Sequence, residues 1–274
     1  MKTEMTPQPS HPPASVWFGH CEVPPWKIAS HEFNDEPRAL SLVGVRATNQ
    51  RLFRELDKLE TRSERGRFFH DYVSVKFGLH NWKQYSGRSG QCIRNSYLRY
   101  LTKWGVDSSS VEGAVLKFWV QSRFGLYPTY HRKKLRIDRE DEDYGFARDR
   151  VKGGAYTNAI EAQLDLVYEY CQYELKRAHP DQKWLKLFRG TYDPEEHPLV
   201  SKGEKRRSCI RLNNLCSFTS DRERAWEFGS TVWEAQVPIV KILFFSGLLP
   251  DDLLCGEDEH LVIGGEYWVK EHLF

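Results

Sequence analysis

Two glutamates two residues apart, Glu257 and Glu259, sit in the cluster Gly256-Glu257-Asp258-Glu259-His260, and the apolar run Leu261-Val262-Ile263 follows directly. That run reads as a short buried strand entered from the acidic loop and ended by Gly264-Gly265. Side chains two apart in an extended segment point to the same side, so both carboxylates can face one cleft. Like charges held that close resist joint ionisation unless a cation lies between them or solvent reaches them. An acid pair so placed is a candidate for chemistry. By itself the pattern reads equally as an acidic loop that caps a strand.

Two upstream stretches could complete a cleft. Leu185-Lys186-Leu187-Phe188-Arg189-Gly190-Thr191-Tyr192 alternates as a strand does and sets an arginine before a glycine. In the second stretch, 215–229, a strand ends in hydroxyl residues and a short helix follows. Ser220 with Glu223 fits the capping pattern S-x-x-E, so Ser220 is expected to start that helix. Ser217 and Thr219 then share one face of the strand, with Phe218 between them.

The elements that must position these groups follow from periodicity. Helical spacing runs over 48–77 with a break near Gly66, over 91–104, and on to about residue 124 behind a Ser109–Glu112 capping pattern. The strongest helical stretch, 156–177, is apolar on most sides and therefore central. Residues 131–150 hold a basic block and then an acidic one, which reads as a solvated loop or as a surface that docks a protein partner. After residue 183 the period becomes two, with strands expected near 184–189, 208–217, 230–237, 239–246, 260–263 and 265–271 and a short helix at 221–228. Helices first and strands second give an α+β fold. It comprises a proline-rich arm over 1–30, a helical region over 31–182 and a β-rich core over 183–274, together one domain.

Composition narrows the function classes. Lysine plus arginine (40) against aspartate plus glutamate (38) leaves a net charge of +2, which gives no argument for nucleic acid or an anionic membrane. Hydrophobic residues make up 40% of the 274, enough for a core. No apolar run approaches the roughly 20 residues of a membrane-spanning helix. The opening Met1-Lys2-Thr3-Glu4-Met5-Thr6-Pro7 lacks the apolar stretch of a signal peptide, so a cytoplasmic protein is expected. The 6 cysteines form no C-x-x-C pair and gather no histidines; they read as reduced thiols, with no zinc site.

Arg-Gly, then Ser-x-Thr-Ser leading into Ala-x-x-Phe-Gly, then Glu-x-Glu before an apolar strand: in this order the pieces resemble the arginine-specific mono-ADP-ribosyltransferases, the group with an R-S-E signature. The match widens through Glu112-Gly113-Ala114-Val115-Leu116-Lys117, Ser122-Arg123-Phe124-Gly125-Leu126, Tyr170-Cys171-Gln172-Tyr173-Glu174-Leu175 and Phe245-Ser246-Gly247-Leu248-Leu249-Pro250. Over nearly the whole chain, apart from the N-terminal arm and 131–150, it resembles the dinitrogenase reductase ADP-ribosyltransferases of nitrogen-fixing bacteria. The resemblance implies the mono-ADP-ribosyltransferase fold, NAD+ as substrate and no metal. It implies transfer of ADP-ribose to an arginine of dinitrogenase reductase, the nitrogenase iron protein, which switches nitrogenase off, and regulation through the PII signal protein.

The resemblance also assigns roles. Glu259 would stabilise the ribose cation and Glu257 would orient the incoming guanidinium. Arg189 and Gly190 would meet the NAD diphosphate and the nicotinamide amide, and Ser217 and Thr219 would brace Glu259 and the ribose. Asn214 and Phe228 are candidates for the nicotinamide pocket, with core or turn roles equally open. Residues 247–256 would form a target-recognition turn in which Leu248 and Leu249 stand where an aromatic is often found. Two other readings remain: a toxin-like transferase or NAD glycohydrolase with a different target, and a non-enzymatic binding module using the charged 131–150 segment.

Overall fold

Helices occupy most of the chain before residue 180 in the computed structural model, which describes residues 20–79, 96–130, 133–134, 140–155, 157, 159–204, 206–251, 254 and 258–273. Short helices α1 (Pro25–Ala29), α2 (His31–Asp35), α3 (Val45–Thr48) and α4 (Gln50–Leu56) lead into α5 (Arg62–Lys76), α6 (Tyr97–Val106) and α7 (Val111–Phe124). The helix expected over 48–77 is interrupted at 57–61 and not near Gly66, because Thr61 and Glu64 close a reciprocal capping box that starts α5. Gly66 lies inside α5, where a Cβ would come within 2.7 Å of Pro250 Cδ. Ser110, one residue beyond the expected cap, starts α7 by accepting from Gly113 N at 3.1 Å.

The 131–150 segment is not simply a loop. It holds β2 (Lys133–Lys134), which pairs with β1 (Thr129–Tyr130), and the start of α8 (Glu140–Gly154). Helix α8 lies close on α7: a Cβ at Gly153 would stand 2.2 Å from Val111 O, and Phe146 packs with Tyr130 and Ala114.

Helix α9 (Ile160–Ala178) is central, as its apolar character requires. Its buried carboxylate and amide side chains each meet a partner on a neighbouring segment, as desolvated groups must. Glu174 takes a two-pronged ion pair from Arg65, Glu169 accepts from Leu42 N and Arg46, and Gln163 accepts from Tyr97 N. Gln172 donates to Ile239 O at 3.0 Å and Ile242 O at 2.8 Å, which fastens α9 to the sheet.

The strands of that sheet are β3 (Trp184–Thr191), β4 (Leu199–Lys202), β5 (Arg207–Thr219), β6 (Thr231–Pro238), β7 (Ile242–Phe245) and β8 (Glu259–Leu273), with α10 (Arg222–Trp226) between β5 and β6. They pair antiparallel in the order β4-β5-β3-β6-β8-β7, and β5 also pairs with β8. The fold is therefore α+β. Strand β4 is exposed throughout and shows no alternation, which is why the sequence pattern did not reveal it.

Strand β8 joins the two halves of the sheet: 259–270 run along β5 and 269–273 along β6. It was expected as two strands split at Gly264-Gly265, but it is continuous. A Cβ on Gly264 would lie 1.6 Å from Asn213 O, and one on Gly265, at φ +114°, 2.5 Å from Ala29 O. The two glycines permit close backbone approach where β5 and β8 shift register, a bulge that bends the pair.

A single large core runs from the helices into the sheet. Cys21, Cys171, Cys209 and Cys216 are buried and unbridged; Cys92 and Cys255 lie outside the described residues. Among the described residues no helix is long and apolar enough to cross a membrane.

Candidate active site

Strands β3 and β5 touch at one residue pair, Phe188 with Thr219, and then diverge. On β3 the next residue is Arg189, whose Nη1 donates to Ser217 O at 2.8 Å, so a guanidinium bridges strands that backbone bonds no longer join. On its other side β5 stays paired with β8, which sets Thr219 opposite Glu259 and Ser217 opposite Leu261. Opposed residues in an antiparallel pair project to the same face. The divergence leaves a cleft of about 650 Å³ whose wall includes Arg189, Gly190, Ser217, Thr219, Phe228 and Glu259. The end of α6, with Trp104 and Gly105, closes it.

Each side chain has a local reason for its place. Glu259 opens β8 and is half-buried; its N–H donates to Ser246 Oγ at 2.8 Å and its carbonyl accepts from Ser246 N at 2.8 Å. These two bonds fix its backbone at the cleft edge. Its Oε2 faces α6, 3.6 Å from where a Cβ on Gly105 would be. Ser217 Oγ accepts from the indole N–H of Trp104 at 2.8 Å, tying the strand to α6. The Nε–H of Arg189 is buried and has no hydrogen-bond partner among the described residues, a donor that an anionic or carbonyl ligand would satisfy.

Thr219 does not brace Glu259 as expected. Its hydroxyl donates to Asp258 Oδ2 at 2.8 Å, and the same oxygen accepts from Ser220 Oγ at 2.7 Å, Ser220 N at 3.0 Å and Asp221 N at 3.1 Å. Asp258 stands at φ 52°, left-handed, where aspartate is tolerated better than most residues. Ser220 is thereby drawn away from capping α10, and Asp221 takes that role by accepting from Glu223 N and Arg224 N.

Burial works to raise the Asp258 pKa, but the hydrogen bonds from Ser220 and Thr219 outweigh it and hold the carboxyl below its ordinary value. Because the folded pKa is depressed, its stabilisation is fully present above the unfolded value of 3.8 and fades as pH falls through the folded one. Asp258→Asn is therefore expected to lower Tm by about 2–4 °C at neutral pH, from a loss of about 1 kcal/mol. The difference from wild type should vanish in strong acid; a constant difference in thermal melts from pH 7 to pH 2 would contradict this role.

The remaining site candidates divide. Phe228 is 55% exposed at the cleft, on a loop that Gly229 lets lie against β3, where a Cβ would stand 2.1 Å from the Thr191 carbonyl carbon. Gly190 lines the cleft, and a Cβ there would meet Ala225 O at 2.0 Å, so its lack of a side chain also serves the packing of α10 on β3. Asn214 is not in the cleft wall. It is buried, and its amide donates to Lys117 O at 2.8 Å and Leu126 O at 2.9 Å, tying the middle of α7 and the residues just past its end to β5. Leu248 and Leu249 are buried at 1% and 3% exposure and do not present a target-binding surface. Glu257 lies outside the described residues.

A model of the dinitrogenase reductase ADP-ribosyltransferase family matches residues 18–271. The chain belongs to this family. An NAD(+)--dinitrogen-reductase ADP-D-ribosyltransferase of Rhodospirillum rubrum is 41% identical to it over 249 residues, 89% of this chain and 90% of the relative. No solved structure matches the chain.

In this member of the dinitrogenase reductase ADP-ribosyltransferase family, Trp104 in the cleft wall and Asp258 beside Glu259 have no site role in the motifs. Trp104 ends the helical stretch 91–104, and Asp258 stands between the two glutamates of the acidic cluster. A hint for Asp258 existed: three successive hydroxyl or amide donors at Thr219, Ser220 and Asp221 need an acceptor if the strand end is partly buried. Atoms of His31, Cys209 and Glu266 that could each serve as a metal ligand lie within 4.8 Å of one another elsewhere, but none of these residues lines the cleft.

Proposed function

We propose that the protein transfers ADP-ribose from NAD+ to an arginine side chain of dinitrogenase reductase, reversibly inactivating nitrogenase. The helical region over 31–182 and the β-rich region over 183–274 act as one domain of the mono-ADP-ribosyltransferase fold. The reaction takes place in the cytoplasm under control of the PII signal protein. One observation supports this reading above the rest: a single cavity wall holds Arg189, Ser217, Phe228 and Glu259.

The chemistry follows from these groups. Arg189 meets the diphosphate through its fixed planar donors, including the unpaired Nε–H. Phe228 offers an exposed ring for the nicotinamide. The C1′–nicotinamide bond breaks with its electron pair leaving on nicotinamide, and Glu259 stabilises the positive charge that appears on the ribose. A nitrogen of the target guanidinium forms the new C1′–N bond. That guanidinium is protonated in water and a poor nucleophile, so Glu257 orients it and receives its proton, which passes to solvent. No step requires a metal ion.

Incubation of the purified protein with labelled NAD+ and dinitrogenase reductase, followed by mapping of the label, tests the reading. Label on an arginine is expected; release of nicotinamide with no label on that protein would favour a glycohydrolase or another target. Glu257→Gln is expected to lower transfer to arginine by about 10²-fold or more while slow hydrolysis of NAD+ persists. Equal loss of both activities would show that the two carboxylates do not divide the work.

A further inference from the structure

Arg189 borders a second cavity. It has a volume of about 820 Å³ and adjoins the cleft at Trp104, Ser108, Arg189 and Ser217. Its wall differs in character from that of the cleft. The cleft carries Glu259 with the aromatic faces of Phe188 and Phe228, whereas the second cavity carries Lys117, Arg189, Arg211 and His197, with Glu196 as the acid among its described lining residues.

The cations of this wall are not equivalent. Arg211 is committed to Glu266 at 2.6 Å. His197 contributes no charge near neutrality, since burial, reinforced by the nearby Arg189 cation, pushes it down to about 4. Lys117 is different. It projects from α7 with 3% of its surface exposed, and its Nζ lies 5.7 Å from the Trp104 ring centre and 5.6 Å from that of Tyr130. Neither Lys117 nor Arg189 has a carboxylate partner among the described residues. Burial depresses the Lys117 ammonium, and Cys216 and Asp107 offset this only in part. Ring contacts recover little of what a desolvated ammonium loses. A buried charge left without a counter-ion beside a cavity is the condition of a site for an anion.

We propose that the second cavity holds the adenosine diphosphate half of the dinucleotide, with the Lys117 ammonium and the Arg189 guanidinium on its two phosphates. The nicotinamide riboside half then occupies the cleft, and Trp104, common to both walls, stands at the partition. This rests on the reading that the protein binds NAD+, and it makes Lys117 a positioning residue that acts through the phosphates.

The experiment is calorimetric titration of the full-length protein with ADP-ribose, comparing wild type with Lys117→Met and Lys117→Gln, alongside Tm and steady-state kinetics. Both variants are expected to bind ADP-ribose about 10- to 100-fold more weakly, the loss of one charge-assisted contact. KM for NAD+ should rise by a similar factor with kcat nearly kept. Inhibition by nicotinamide should be unchanged, and Tm of the free protein should not fall, since removal of a buried unpaired charge does not destabilise a fold. Unaltered affinity for ADP-ribose would overturn the proposal. So would a fall in Tm, or failure to fold, in both variants, since that would make Lys117 structural. Wild-type protein that binds NAD+ but not ADP-ribose would also count against it. Wild-type protein that binds neither would instead defeat the proposed function.

Discussion

Replacing Glu259 with glutamine is expected to lower both ADP-ribose transfer and NAD+ hydrolysis by about 10³-fold, roughly 4 kcal/mol of transition-state stabilisation. The substitution keeps size and hydrogen-bonding reach but removes the negative charge proposed to oppose the ribose cation. That charge matters most as the C1′–nicotinamide bond breaks, so kcat should carry the loss and affinity for NAD+ should change little. The fold should be indifferent, because Glu259 is anchored by its backbone through Ser246, and glutamine keeps both bonds. The measurement is single-turnover release of nicotinamide, with NAD+ affinity and Tm as controls. Activity within tenfold of wild type, with normal affinity, would remove Glu259 from the reaction centre.

Arg189→Lys is expected to act on the other side of the equation. Lysine keeps the charge but loses the planar fork, including the Nη1–H that bridges to Ser217 O and the unpaired Nε–H. A drop of about 10- to 100-fold in kcat/KM is expected, mostly in KM, with a lowered Tm because β3 and β5 lose their bridge beyond Phe188 and Thr219. Kinetics at varied NAD+ with parallel melting curves would check both parts. An unchanged KM together with a large fall in kcat would move Arg189 from substrate binding to the chemical step.

Much of the cleft was legible because strands write their geometry plainly. Period-two alternation placed Arg189, Ser217 and Glu259 on strand ends, and the order of the pieces suggested one site. Details that depend on close approach between segments were not legible. Gly264-Gly265 looked like a stop, but the reason for these glycines lies in Asn213 and Ala29, distant in sequence. Ser220 matched a capping pattern, but Asp258 offered a charged acceptor that no local rule could anticipate. Leu248 and Leu249 stood in a segment read as a recognition turn, yet apolar burial took them into the core. Helix α8 was missed because few of its residues bury apolar surface; Phe146 meets only a small satellite cluster.

The single residue pair between β3 and β5 has a mechanical meaning. Glu259, Thr219 and Ser217 ride on the β5–β8 ladder, whereas Arg189 belongs to a strand stitched directly to β5 at one pair and joined to β8 only by way of β6. The seam beyond that stitch can widen or narrow without breaking backbone pairing on either bank. Motion of β3 against β5 would thus open or narrow the cleft while the acid and its hydroxyl neighbours keep their spacing throughout.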